Sequence, residues 1–167
     1  DQRLDNLRSN AQFDNLTGAR SRGFVLQALT QLKRYRTPFS LVYLDLNGLK
    51  KINDTLGHAA GDAYLQRFAL SVQKQIRDTD ILARLGGDEF MIFMRSVKNE
   101  DVDPLVRRII RDIRKEYCRE DLHFAVTASV GVAHYPEDGS SFAELYHCAD
   151  LALYEAKHRG KNCYEQY

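Results

Sequence analysis

The sequence has few cysteines, no excess charge of either sign and no long apolar run, and each absence excludes a class of protein. Its cysteines, Cys118, Cys148 and Cys163, are odd in number, far apart and without the paired spacing of metal ligands. Such a set favours a reducing compartment over a disulfide framework. We therefore expect unreactive thiols and a cytoplasmic location, either as a separate protein or as the cytoplasmic domain of a membrane-anchored one.

Charge is balanced, with 24 Lys and Arg residues against 23 Asp and Glu residues. A balanced chain has no overall field that attracts nucleic acid or an anionic membrane, so any polyanion must meet locally placed cations. No apolar run reaches the length of a membrane span, and no basic-then-apolar leader opens the sequence. We expect a soluble domain that contacts neither nucleic acid nor, through this segment, a membrane.

The 167 residues, 44% of them hydrophobic, suit one compact domain with a single core. The first residue is Asp1 rather than methionine, which predicts that the chain is a fragment of a longer polypeptide. Residues 1–13 are polar with a thin apolar spacing, so we interpret them as a helical linker stub from an upstream domain or as a frayed terminus. Residues 14–167 are then the domain itself.

Apolar spacing predicts an alternation of helices and strands. Helical spacing marks residues 21–35, 65–76, 102–117 and 142–156, and extended runs mark 39–46, 81–85, 90–94, 124–134 and 163–167. Only four residues, Gly86 to Glu89, separate two of the extended runs, which is typical of a hairpin. Strands joined by hairpins cannot all be parallel. The pattern predicts an α/β sandwich of the ferredoxin-like kind, with a mostly antiparallel central sheet flanked by helices.

Asp45 is an anomaly because it lies in an otherwise apolar strand. Asp88 and Glu89 lie at the tip of the predicted hairpin, which can pair beside that strand, so three carboxylates are expected to converge. Convergent carboxylates repel unless a cation joins them, and Mg²⁺ accepts such oxygen ligands together with phosphate oxygens. Spacing alone leaves a second interpretation open, in which Asp45 caps a helix before Gly48 and the hairpin tip is a solvated turn.

Two further groups of charged residues have a structural and a functional interpretation. Lys50 follows the Asp45 strand and Lys157 and Lys161 end the last helix, where they could neutralise a triphosphate, although the helix dipole also favours lysine there. Arg77 and Asp80 form an Arg-x-x-Asp pattern before the glycine pair. By itself this pattern is typical of a helix end with a capping aspartate.

The segment Arg84 to Phe90, which contains Gly86-Gly87-Asp88-Glu89-Phe90, resembles the signature of the GGDEF family, the diguanylate cyclases. Residues 14–18 resemble the family's entry motif, residues 45–62 its nucleotide-binding stretch and residues 149–162 its closing motif. The resemblance covers about residues 14–165 in the expected order. It implies a nucleotidyl-cyclase type of sandwich and an enzyme that condenses two GTP molecules into cyclic di-GMP and two pyrophosphates.

The resemblance also implies a metal site with Mg²⁺, or Mn²⁺, as its ion. Asp45, Asp88 and the Leu46 carbonyl would hold the ion, and Glu89 would reach a second one. Either Asp88 or Glu89 would help to remove the proton from the attacking hydroxyl, and the sequence leaves that choice open.

Substrate contacts are implied in the same way. Asn53 and Asp62 would bind guanine, which favours GTP over ATP, and the glycine pair would let phosphates approach the hairpin backbone. Asp14 would pair with Arg84 and tie the entry segment to the hairpin. The complete set of implied substrate-binding residues is Asn53, Asp62, Leu49, Lys50, His58, Gly86, Gly87, Lys157 and Lys161.

The implied partners follow from the symmetry of the product. One chain offers one GTP site, so two chains facing each other antiparallel would form the catalytic homodimer, regulated by an upstream sensory domain. Arg77 and Asp80 would bind cyclic di-GMP as an inhibitor, with a second contact from Arg107, Arg108 or Arg111.

Three positions depart from the family pattern. Asn47 stands where a second aspartate is frequent, Leu49 where phenylalanine is usual and Lys161 where arginine is common. Lysine at position 161 cannot form the two parallel hydrogen bonds that an arginine guanidinium makes to phosphate, so GTP binding would be weaker. None of the three differences removes an implied metal ligand. Two rival interpretations remain: a non-catalytic receptor for GTP or cyclic di-GMP, and a cyclase domain that is inactive without its upstream dimerisation part.

Overall fold

A computed structural model describes residues 2–3, 12–35, 37–95, 99–119, 122–160 and 164–167. The helices in these ranges are α1 (Arg22–Tyr35), α2 (Leu49–Leu56), α3 (His58–Gln75), α4 (Asn99–Ile113) and α5 (Phe142–His158). The strands are β1 (Arg20–Ser21), β2 (Phe39–Asn47), β3 (Ile81–Gly86), β4 (Glu89–Arg95), β5 (Lys115–Arg119), β6 (Leu122–Tyr135) and β7 (Tyr164–Gln166). No helix in these ranges is long and apolar enough to cross a membrane.

The strands form one sheet in the order β1-β3-β4-β2-β6-β5, and β7 pairs with β6. The central strand β2 is antiparallel to both of its neighbours, β4 and β6. Only the short β1–β3 pair and the β6–β7 pair are parallel among the described strands. The predicted α/β architecture with a mostly antiparallel sheet is therefore confirmed.

Helices cover both faces of the sheet because successive strand side chains point to opposite faces. On one face, Val42 and Leu44 of β2 pack with residues of α2, α3 and α4. On the other face, Leu41 and Tyr43 pack with residues of α1 and α5. The strand β2 thus belongs to both cores, which holds its last residues, including Asp45, at a fixed place.

Helix α5 packs directly on the backbone of β6 at Gly131. A Cβ atom at Gly131 would lie 2.1 Å from the Ala149 carbonyl oxygen and 2.5 Å from the Leu153 amide nitrogen. Glycine is therefore required for this close approach. Because Lys157 follows one turn after Leu153, the same contact determines where the Lys157 side chain begins.

The structure corrects two helix predictions. Residues 49–56, which we did not assign, form α2, bounded by Gly48 and Gly57. The helix predicted to reach Tyr117 ends at Ile113, and Tyr117 lies in β5. The Tyr117 ring stacks on Phe124 of the paired strand β6, with ring centroids 5.1 Å apart. Its position at helical spacing after Ile113 is therefore a coincidence.

One further boundary differs, because α3 begins at His58 rather than at residue 65. Residues 58–63 carry no large apolar side chain, so the helical spacing does not reveal this first part of the helix. The other predicted boundaries lie within a few residues of the observed ones. The terminal strand is present as β7, and the hairpin joins β3 to β4 as expected. Most of the predicted N-terminal stub, at residues 4–11, lies outside the described residues, as do Lys161 and Cys163.

Candidate active site

The end of β2 and the β3–β4 turn bring the predicted carboxylates to one edge of the sheet. Asp45 lies directly opposite Glu89 in the β2–β4 register. One residue later, the Leu46 backbone N–H donates a hydrogen bond to the Asp88 carbonyl at 3.1 Å. This bond fixes the turn to the end of β2 beyond the regular ladder. The helix-cap interpretation of Asp45 is wrong, since Gly48 occupies the N-cap of α2.

The turn has its own internal support. Gly87 has a φ of +44°, a left-handed conformation that glycine adopts at little cost. Its carbonyl accepts two hydrogen bonds from the Arg84 guanidinium, at 2.9 Å and 3.1 Å. Arg84 also pairs with Asp14 at 3.2 Å, which confirms the predicted link between the entry segment and the hairpin.

Asp14 lies in a favourable environment for a charged carboxylate. Burial alone would raise its pKa, but hydrogen bonds from Thr17 and the charge of Arg84 outweigh burial and hold the pKa below its ordinary value. The Thr17 backbone N–H donates at 2.9 Å and its hydroxyl at 2.7 Å. The Asp14 carboxylate is therefore ionised and saturated with donors, which suits a structural role.

Asp45 and Asp88 are in the opposite situation. The Asp45 side chain is 13% exposed, its Oδ2 pairs with the Lys157 ammonium, and its Oδ1 is buried with no hydrogen-bond partner among the described residues. Burial raises the pKa of Asp88, and the charges of Asp45 and then Glu89 raise it further. The site thus carries more negative charge than one lysine neutralises, and a divalent cation would relieve this excess.

Fewer carboxylates are placed to hold one metal ion than the three that we predicted. In the described ranges, no group of three or more His, Cys, Asp or Glu side chains is placed to hold one metal ion. Two carboxylates remain sufficient for Mg²⁺, which usually takes one or two protein carboxylates and completes its shell with water and phosphate oxygens. The orphaned Asp45 oxygen and the destabilised Asp88 carboxylate fit such an ion.

Glu89 faces a pair of tyrosines that the sequence analysis missed. The Tyr43 and Tyr146 hydroxyl oxygens lie 3.3 Å apart. Burial, followed by the contact with Tyr146 and the charge of Glu89, raises the pKa of Tyr43 far above its ordinary value. The Tyr43 phenol therefore stays protonated. Strand alternation could have indicated Tyr43, because it precedes Asp45 by two residues and shares its face.

Asn47 is held by hydroxyl groups from β6. Its side-chain amide donates to Thr127 Oγ1 at 3.2 Å and to Ser129 Oγ at 3.0 Å. A hydroxyl can donate or accept, so these partners would serve an aspartate equally well. The asparagine at position 47 therefore fits its surroundings without disturbing Asp45.

Asn53 and Asp62 are brought close by the packing of α2 against α3. A Cβ atom at Gly61 would lie 1.8 Å from Asn53 Oδ1, so only glycine leaves room for this side chain. The Asn53 oxygen is buried and lacks a hydrogen-bond partner among the described residues. Asp62 follows Gly61 and is exposed. Of the two predicted guanine-binding residues, Asn53 thus packs against Gly61, and Asp62 is the next residue along α3.

The other predicted substrate-binding residues differ in their exposure to solvent. Lys50 and His58 are exposed, and Gly86 and Gly87 have open space around the position that a Cβ atom would occupy. Leu49 is 7% exposed and belongs to the core, so its side chain holds α2 in place. Lys161 lies outside the described residues.

The Arg77–Asp80 turn lies at the end of α3. Asp80 is 5% exposed, and its Oδ2 accepts from the Arg77 backbone N–H at 3.0 Å, so the aspartate caps this turn. The Arg77 side chain is exposed. Arg108 Nε donates to Gln75 Oε1 at 2.9 Å, which places this arginine beside the turn. Arg107 and Arg111 face a different cavity, bordered by β7.

Comparison with known proteins agrees with this geometry. The family model for the diguanylate cyclase GGDEF domain matches residues 11–163. The chain belongs to the GGDEF-domain family. The GGDEF turn named by the family is the β3–β4 turn at Gly86 to Phe90 that adjoins Asp45.

Curated relatives and a solved structure support the assignment. The chain is 35% identical over 158 residues to the bifunctional diguanylate cyclase/cyclic di-GMP phosphodiesterase MucR of Pseudomonas aeruginosa, covering 92% of this chain and 23% of MucR. It is 34% identical over 161 residues to the diguanylate cyclase TpbB of the same organism, covering 93% of this chain and 37% of TpbB. A truncated TpbB comprising only the GGDEF domain matches with a TM-score of 0.79 at 32% identity, over 92% of this chain and 93% of that one.

The chain spans about a quarter of MucR and just over a third of TpbB. These proteins therefore contain large segments that have no counterpart here. The likeness concerns the GGDEF domain alone, since the truncated TpbB structure is matched over nearly its full length.

Proposed function

We propose that this GGDEF domain is a diguanylate cyclase, which condenses two GTP molecules into cyclic di-GMP and releases two pyrophosphates. The observation that carries the proposal is the pair Asp45 and Asp88, two carboxylates at the GGDEF turn with an orphaned oxygen and a raised pKa. These carboxylates fit a metal ion beside the reacting phosphates, which the proposed condensation requires.

The metal that fits these residues is Mg²⁺, or Mn²⁺ in its place. Asp45, Asp88 and the Leu46 carbonyl would hold one ion, and Glu89 would reach a second. When bound, the ion supplies a lowered pKa for the attacking hydroxyl and neutralises charge on the leaving pyrophosphate. The Leu46–Asp88 backbone bond keeps the two aspartates at a fixed relative position for this purpose.

Guanine recognition belongs to the α2–α3 surface. The Asp62 carboxylate accepts from the N1 and N2 hydrogens of guanine, which adenine does not offer together. Asn53 contributes its amide from the neighbouring helix, at the position that Gly61 leaves open. A competing base that left the buried Asn53 oxygen unpaired would lose affinity.

Phosphate binding belongs to the turn and the lysines. Open space around Gly86 and Gly87 lets phosphate oxygens approach the backbone of the turn. Lys50, Lys157 and Lys161 would meet the β and γ phosphates. Lys157 already lies at the carboxylates through its ion pair with Asp45, so its ammonium is positioned beside the triphosphate before substrate arrives.

The bond changes follow from these positions. The 3′-oxygen of one GTP forms a bond with the α-phosphorus of the other, and the bond from that phosphorus to the bridging oxygen of the pyrophosphate breaks. Asp88 or Glu89 accepts the hydroxyl proton. Because one chain holds one GTP, a second chain facing the first antiparallel would supply the other half of the reaction.

Regulation and location complete the proposal. Cyclic di-GMP would inhibit the enzyme at Arg77 and Asp80, with Arg108 as the second contact because it lies at the same end of α3. An upstream sensory domain would control dimerisation. A GTP-consuming signalling domain belongs in the cytoplasm, where GTP is available.

Product analysis tests this function. The chain is incubated with GTP and Mg²⁺ at increasing protein concentration, and products are identified by mass spectrometry, with ATP as the control substrate. We expect cyclic di-GMP from GTP only, at a rate per chain that rises with protein concentration because a dimer is required. Absence of cyclic di-GMP at every concentration, with and without a fused dimerisation helix, would contradict the proposal. Product only with the fused helix would identify a domain that depends on its upstream part.

A further inference from the structure

A large basic cavity lies between α4, the end of α5 and β7, and none of its described lining residues belongs to the proposed active site. It has a volume of about 700 Å³, within the usual range of small-molecule sites. Its lining includes four arginines, Arg107, Arg111, Arg114 and Arg159, together with Tyr164 and Glu165. We propose that this cavity binds a phosphate-bearing anion, specifically a di- or triphosphate group.

The arginines converge from two separate elements. Arg107, Arg111 and Arg114 are spaced by four and three residues, so they follow one face of α4 into its C-terminal end. Arg159 comes from the end of α5, across the cavity. Because α4 and α5 are joined only through β5 and β6, the fold rather than local sequence assembles this cluster.

The charge of the lining is strongly positive. Glu165 is the only acidic residue in the described part of the lining, and it pairs with Arg159. The partners of the other arginines, Asp103, Asp112 and Glu116, do not line the cavity and are 39% to 51% exposed. Such exposed pairs contribute little, so an anion in the cavity can replace them at small cost.

The chemistry of the lining favours phosphate. Arginine guanidinium groups bind phosphate through two parallel hydrogen bonds, and several of them around one cavity suit adjacent phosphates. The Arg107 guanidinium lies 5.4 Å from the centre of the Tyr164 ring, a cation–π contact that restrains it in the cavity. A restrained guanidinium loses less conformational entropy on binding than a mobile surface lysine does.

Calorimetry with inorganic tripolyphosphate tests the proposal in the presence of EDTA. EDTA removes the divalent cation that would join the probe to Asp45 and Asp88, and only the binding that is lost in the arginine variant is assigned to the cavity. We expect saturable binding to wild type and an affinity lowered by at least about tenfold in Arg107→Gln/Arg111→Gln. The charge-matched control Arg67→Gln/Arg95→Gln, which removes two exposed arginines elsewhere, should stay within about twofold of wild type. Arg77→Gln should also bind normally.

Further ligands identify the source of the phosphate. Pyrophosphate and GTP are each titrated into wild type and into Arg107→Gln/Arg111→Gln. Because GTP also binds the proposed guanine site, the ligand that loses more affinity in the variant names the natural ligand class of the cavity. Tighter binding of hexaglutamate would overturn the phosphate assignment in favour of an acidic protein segment. The proposed site would be wrong if wild type did not bind tripolyphosphate. It would also be wrong if the control variant lost as much affinity as Arg107→Gln/Arg111→Gln. These titrations need no turnover, so their failure leaves the cyclase proposal unaffected and failure of the product assay leaves this one unaffected.

Discussion

The acidic site at the GGDEF turn and the arginine cavity beside β7 differ in burial as much as in sign. At the turn, Asp45 is 13% exposed and Asp88 has a raised pKa, so their charges destabilise the site unless a cation joins them. In the cavity, Arg107 and Arg111 are 69% and 75% exposed and remain hydrated. A buried charge without full compensation therefore indicates function by itself, whereas exposed charges do so only when they converge on a cavity.

The largest effect that separates the two regions is expected from Asp45→Asn. Removing this charge leaves Lys157 without its partner and the metal without a carboxylate, so initial rates of pyrophosphate release from GTP should fall by about a hundredfold or more. Tripolyphosphate binding in EDTA should not change.

Asp78→Asn is the control, because Asp78 is an exposed acid at the end of α3. It should retain full activity. Equal losses of activity in both variants would show that the rate depends on general surface charge. Asp45 would then have no special role at the GGDEF turn.

A smaller effect, a loss of stability, is expected from Gly131→Ala. This variant tests the packing of α5 on β6, which positions both Lys157 at the GGDEF turn and Arg159 at the arginine cavity. The added methyl group meets the Ala149 carbonyl, so unfolding free energy should fall by about 1–3 kcal/mol. Chemical denaturation measures this change. In Gly23→Ala the nearest atom to the new methyl is 4.0 Å away, and this helical control should be neutral or slightly stabilised. A stable Gly131→Ala would mean that α5 does not rest on β6 as described.

Gly61→Ala is expected to weaken nucleotide binding without changing the carboxylates at the GGDEF turn. The methyl group meets the end of the Asn53 side chain, which can rotate, so stability should hold while the side chain leaves its position. We expect KM for GTP to rise by about tenfold with kcat little changed, as for the loss of a binding contact. Steady-state kinetics at saturating Mg²⁺ gives both values. An unchanged KM for GTP would show that Asn53 does not bind guanine.

The smallest effect concerns Asp14, at the edge of the acidic region. Because its pKa is lowered in the folded state, its contribution to stability is present above the unfolded pKa and is lost as the pH falls through the lower folded pKa. The difference in Tm between wild type and Asp14→Asn should therefore be largest near neutral pH and shrink below about pH 4. A constant difference across the pH range would show that the Arg84 pair contributes no charge interaction.

Sequence patterns predicted the acidic region far better than the basic one. The β3–β4 hairpin, the apolar strand with Asp45 and the Asp14–Arg84 pair all follow from motifs that are local or have known partners. Helix α2 was missed because only eight residues lie between its two bounding glycines, too few for a clear period. Tyr117 fitted a helical spacing although it pairs across strands.

Contacts between distant elements that no motif links could not be predicted. The approach of Gly61 to Asn53 depends on how two helices pack, and the Tyr43–Tyr146 contact joins β2 to α5. The arginine cavity needs α4 and α5 to end beside the same strand. In each case the chemistry arises from tertiary packing, which a single sequence does not reveal by spacing.

The most direct test of the central claim is the cyclic di-GMP formed from GTP and Mg²⁺ by Asp88→Asn and by wild type, measured by mass spectrometry at equal concentrations of folded protein. The substitution keeps the size of the side chain and removes its charge at the GGDEF turn. We predict a loss of about a hundredfold or more. As much product from the variant as from wild type would contradict the account.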